Sequence, residues 1–116
     1  MIELDEKKRI IQEFVPGKQV TLAHIIASPT TSLYSKLGIV DARGAIGIFT
    51  ITPGEGAMIA ADIASKKGDI SIGFVDRFSG SLLITGDVAS VEASIKGVMA
   101  ILCDQMGFTP TVITRT

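Results

Sequence analysis

Glycine and proline leave this chain little room for long elements. Pro16-Gly17, Ser28-Pro29, Gly38, Thr52-Pro53, Gly68, Gly80, Gly86 and Gly107 punctuate it at short intervals. Proline fixes φ and removes an amide donor, and glycine takes the positive φ that turns and helix ends require. Between such stops only short strands and helices fit, and 116 residues supply about one domain and one core.

The segments between the stops have distinct patterns. Residues 1–13 concentrate charge (Glu3, Asp5, Glu6, Lys7, Lys8, Arg9, Glu13), so residues 1–9 read as a flexible arm. Ile10, Ile11, Gln12, Glu13, Phe14 and Val15, closed by Pro16-Gly17, predict a short strand with no hairpin mate. Residues 18–27 are rich in β-branched side chains and predict a second strand. Ser28 as N-cap and Pro29 at the first helical position predict a short helix over 30–37. Residues 44–51 are apolar or small on both faces, the mark of a central covered strand. Thr52, Pro53 and Glu55 have the spacing of a capping box, opening a helix that Gly68 closes. On it Met58, Ile59 and Ile63 share a face, and Asp62 and Lys66 stand i,i+4.

Residues 69–76 and 81–85 predict two strands joined by Arg77-Phe78-Ser79-Gly80. Gly86-Asp87 then caps the longest helix, predicted over 88–106, with Val88, Val91, Ile95, Val98, Leu102 and Met106 as its apolar stripe. Ala89, Ala93, Gly97 and Ala100 form a second face of small residues. A β-branched tail, residues 109–116, follows Gly107.

Composition narrows the functions. Eleven basic and twelve acidic side chains leave a net charge of −1, without the basic excess that nucleic acid or an anionic membrane would select. One cysteine and one histidine rule out an intrachain disulfide and a Cys/His zinc cage within one subunit. No apolar run reaches the roughly 20 residues of a membrane span, and the charged start is unlike a signal peptide. An intracellular, reduced setting is the expectation. A mean hydropathy of +0.46 is high for a small monomer and points to subunit interfaces.

Few residues invite chemistry. Gly54-Glu55-Gly56 opens a helix after a strand, as phosphate loops do, but the dinucleotide pattern fails at Ile59 and no Walker lysine follows. A tight turn accounts for it better. His24, among Leu22, Ala23, Ile25 and Ile26, reads as a half-buried side chain with one or two hydrogen bonds. Cys103 reads as a packing residue, with a cluster-ligating role at an oligomer axis as the alternative. No carboxylate pair suited to acid–base work stands out, and no catalytic residue, metal site or cofactor is assigned.

Taken together the blocks resemble bacterial microcompartment shell proteins. Gly44-Ala45-Ile46-Gly47-Ile48, the run from Ala60 to Lys66, Ile72-Gly73-Phe74, and Thr85-Gly86-Asp87-Val88 with Val91-Glu92-Ala93-Ser94 look like the core shell pattern. Ala23-His24-Ile25-Ile26-Ala27-Ser28-Pro29 looks like the strand that in most relatives follows the long helix; here it comes first. That displacement is a circular permutation, shared with a subgroup of the ethanolamine-, propanediol- and choline-utilisation compartments.

The resemblance covers residues 10–116 as a single permuted domain. It implies an α+β fold, a mostly antiparallel four-stranded sheet with helices packed on it. It also implies a cyclic homohexamer tiling, with other shell proteins, into the wall of a cytoplasmic microcompartment, without catalysis. By the same resemblance, residues 10–15 of six subunits would close a parallel barrel over the central opening, where a cargo or partner segment could dock. Arg77, Phe78, Ser79 and Gly80 would line the pore, and Lys66, four residues after Asp62, would be the edge lysine. Where the family usually has arginine before the proline, this chain has Ser28. The alternative from the residues alone is a ring oligomer that binds a small regulatory ligand.

Overall fold

Strand β2 (Ala45–Thr52), the segment without a polar face, lies at the middle of the sheet. The computed structural model describes residues 17–39 and 44–116. Around β2 they form β1 (Gln19–Ile26), α1 (Thr31–Lys36), α2 (Gly56–Lys67), β3 (Ser71–Asp76), β4 (Ser81–Gly86), α3 (Val88–Met99) and β5 (Ile113–Arg115). The spatial order is β3-β4-β2-β1-β5. The expected strand over residues 10–15 lies outside the described residues.

Alternation along the strands sends one set of side chains toward the helices. Ala45, Phe49 and Ile51 of β2 meet Val20, Ala23 and Ile25 of β1 and Leu82 and Ile84 of β4. Helix α2 adds Ala60, Ile63 and Ala64, and α3 adds Val91, Ile95 and Val98. Each fully buried large side chain is worth roughly 1.5–3 kcal/mol relative to exposure, so this layer carries the fold. At Gly47 a Cβ would come within 2.8 Å of Ile84 and 3.0 Å of Val91, so the glycine lets α3 settle onto the sheet. The helices are stitched by Ser94, buried between them, whose Oγ donates to the Ala64 carbonyl at 3.0 Å.

Several expectations are corrected. The sheet has five strands, because the β-branched tail returns along β1 in parallel, pairing Ala23 with Ile113, His24 with Thr114 and Ile25 with Arg115. The other three pairings are antiparallel, as expected. No capping box forms at α2: Thr52 ends β2, the Thr52–Pro53 bond is cis, and Glu55 is the N-cap without a side-chain bond. Likewise Thr30, not Ser28, precedes α1. On α2, Ile63 enters the core while Met58 and Ile59 stay exposed.

The long helix is two things. Its α-helical part stops at Met99, and Ala100–Gln105 continue as a π-helix. Apolar spacing of three and four residues does not separate the two. Lys18 closes this end, its Nζ donating to the Met106 carbonyl at 2.6 Å and lying 5.5 Å from the centre of the Phe108 ring. Of the second face of small residues, Ala89 and Ala93 on α3 and Ala100 at the start of the π-helix are exposed, and Gly97 sits against the Lys67 stem.

Candidate functional site

Arg77, Phe78, Ser79 and Gly80 form the turn between β3 and β4. Asp76 organises it: its Oδ1 accepts from the Phe78 amide at 2.9 Å and the Ser79 amide at 3.4 Å. These bonds, the Phe78 amide first, hold the Asp76 carboxyl below its usual range. Gly80 has φ +76° and donates its amide to the Asp76 carbonyl at 2.8 Å. A Cβ there would lie 2.0 Å from the Ile51 carbonyl oxygen, and one at Gly54 would lie 1.9 Å from that of Arg77. The turn is thus locked against the β2–α2 connection. Phe78 is 86% exposed, with the Arg77 guanidinium 5.0 Å from its ring centre. Met58, Val75, Asp76, Arg77 and Phe78 line a shallow depression beside it.

Lys66 stands in the last turn of α2, at the other end of that helix from Met58. Its Nζ lies 2.8 Å from Asp62 Oδ2, and both side chains are largely exposed. An exposed i,i+4 pair contributes only about 0.3–0.5 kcal/mol, so neither residue is tied down by folding alone. The turn and the lysine belong to different elements, the β3–β4 connection and α2.

The Gly54-Glu55-Gly56 segment is a tight turn. The amides of Gly56, Ala57 and Met58 donate to the carbonyls of Pro53, Gly54 and Glu55, leaving those three donors occupied rather than open to an anion. His24 is half-buried and bonded through both ring nitrogens: Nδ1 lies 2.6 Å from Thr114 Oγ1 and Nε2 2.9 Å from Thr116 Oγ1. Cys103 is half-buried on the π-helix, and burial, then the Asp104 charge, pushes its thiol pKa up, against the thiolate a metal would need. Among the described residues no group of three His, Cys, Asp or Glu is placed to hold a metal ion. Among them, too, no helix is long and apolar enough to cross a membrane.

One surface escapes a motif search. The β3 edge exposes Ile72, Phe74 and Val75, and Met58, Ile59 and Phe78 extend it. At the far edge of the sheet, Val112 and Ile113 are exposed beside Leu22. The signal in the sequence was Ile72-Gly73-Phe74-Val75, apolar without a polar alternate, which reads as burial on both faces; within one subunit Ile72, Phe74 and Val75 all stay partly exposed.

A family model described as the BMC domain matches residues 45–116, from β2 onward, leaving β1 ahead of it. The chain is 57% identical over 108 residues to the bacterial microcompartment shell protein PduU of Salmonella typhimurium, with 93% of each chain covered. A solved CutR flat hexamer is 50% identical, with TM-score 0.84, covering 94% of this chain and 100% of that one. A solved CutR dimer with domain swap is 45% identical, with TM-score 0.63, covering 86% of this chain and 100% of that one.

Proposed function

The chain belongs to the BMC-domain family of microcompartment shell proteins, and from that premise we propose how its surfaces build a shell. The protein is a structural subunit of a hexamer. The observation that carries the assembly is the pair of apolar edges at opposite ends of one sheet. A monomer pays for exposed Phe74, Val75 and Ile72 in solubility, whereas a ring buries them. Different surfaces at the two ends suit a heterologous contact, which closes into a ring when the rotation allows.

In that ring the turn Arg77–Gly80 faces the axis and sets the width and polarity of the pore. Its rigidity fits an opening of fixed size, because Asp76, Gly54 and Gly80 hold the turn before assembly. Residues 10–15 supply the barrel over that axis, where a partner segment docks. Lys66, with Asp62 as its resting partner, meets the neighbouring hexamer in the sheet. Exchange of a chain segment between subunits, as the name of the swapped CutR dimer describes for that protein, is a second assembly mode.

Light scattering on a sizing column tests the ring: six 12.2-kDa subunits give about 73 kDa. Phe74→Glu should reduce that mass to a monomer with the fold retained. A stable monomer of the unaltered chain overturns the proposal, and a hexameric Phe74→Glu variant removes β3 from the seam.

A further inference from the structure

We propose that β5 is an exchangeable clasp: the strand of one subunit leaves its own β1 and seats on β1, His24 and Glu92 of a second copy. The inference rests on the segment-exchange reading above and identifies the segment, the hinge and the acceptor.

The way β5 is held supports it. All three residues of the strand are exposed, and the apolar Val112 before it is 75% exposed, so little burial retains it. Its anchors are polar. His24 reaches the hydroxyls of Thr114 and Thr116, Arg115 Nη1 lies 2.9 Å from Glu92 Oε2, and Thr116 exchanges backbone bonds with Ile25 and Ala27. Water competes for every one of these groups, so opening costs far less than opening the core. The same groups recur on every copy, so a second subunit offers the released strand an identical site.

The release point is marked as well. Phe108 is buried in the core, and the Thr109 amide donates to the Lys18 carbonyl, so the chain stays fixed to that position. Pro110, Thr111 and Val112 have no assigned secondary structure, and proline has no amide to lose. Three such residues span roughly 10 Å when extended. That reach confines exchange to a subunit in direct contact. In a ring the acceptor's effective concentration is high, which favours exchange without any new contact.

The test uses the full chain with Cys103→Ser. Glu92→Cys and Arg115→Cys are placed in separate chains, which are co-expressed, sized and oxidised. Exchange predicts a disulfide-linked heterodimer, with the Ala27 and Thr116 amides still protected from hydrogen exchange because the clasp is seated. Carrying both cysteines in one chain controls for bond formation at the site. A bond in that control without a heterodimer from the mixture overturns the proposal. So does a heterodimer whose Ala27 and Thr116 amides are unprotected, since the tails then only collide. A hexamer without cross-linking refutes exchange and leaves the ring intact. A dimer on the column whose mixture cross-links with protection supports exchange and refutes the ring.

Discussion

The two edges of the sheet are built by opposite means. The β3 edge is joined to β4 by a four-residue turn, and its bonds are backbone bonds reinforced by Asp76 and by two glycines that admit carbonyl oxygens. The β5 edge pairs the end of the described chain with β1 some ninety residues earlier, and polar side chains add to a short backbone ladder there. Both edges expose apolar side chains, but one is stiff and the other is a loose strand anchored by polar groups. A subunit that must join others needs both: a fixed surface to define the geometry of a ring, and a yielding one to accommodate neighbours.

The comparison is sharpened most by Phe108, where the loose edge is rooted in the core. Phe108→Ala should cost about 3–5 kcal/mol in urea unfolding, since it removes a buried ring and leaves a cavity. A loss below about 1 kcal/mol would show that the tail is not rooted there.

The stiff edge breaks next. Gly80→Ala forces a Cβ against the Ile51 carbonyl at positive φ, and should cost about 2–3 kcal/mol. The variant should also lose the hexamer if the turn sets ring geometry, which native mass reads directly. Normal stability would mean that the turn relaxes freely.

Acid should weaken the stiff edge and the start of α3. Asp87 caps that helix, its Oδ1 accepting from the Ser90 amide at 2.9 Å, and that bond first lowers its pKa, as the Phe78 amide does for Asp76. Groups whose pKa falls on folding contribute stability above their unfolded pKa and lose it as pH drops through the folded one. Stability should therefore fall below about pH 4, and Asp76→Asn with Asp87→Asn should flatten that limb of the profile. An unchanged slope in the double variant would assign the acid loss to other carboxylates.

Most of the fold was legible because its signals are local. Gly44 to Ile51 announced the central strand by lacking a polar face, and Gly86-Asp87 announced the start of its helix, where Asp87 does bond the Ser90 amide. The failures are non-local. Thr52-Pro53-Gly54-Glu55 has capping-box spacing, but Thr52 is held in the β2 ladder opposite Gln19, so its side chain is not at a helix start. The fifth strand was hidden because its partner lies some ninety residues earlier, and nothing in Ile113-Thr114-Arg115 names it. The turn at 77–80 was visible as the link between two predicted strands, whereas the exposed apolar edge beside it was not foreseen. The proposed ring accounts for that edge by covering it with another subunit.

The smallest expected effect falls on the loose edge. Arg115→Ala removes an ion pair whose partners are both substantially exposed, and such pairs contribute about 0.2–1 kcal/mol. Global stability should barely move, while hydrogen exchange at Thr116 and Ala27 should speed up by roughly fivefold at most, because those amides open with β5 alone. Raised salt should weaken the unaltered pair and bring its exchange toward the variant's, since an exposed pair is screened. If Arg115→Ala instead lowered global stability as much as Gly80→Ala, β5 would unfold with the core, and the distinction between a built edge and a clasped one would be lost.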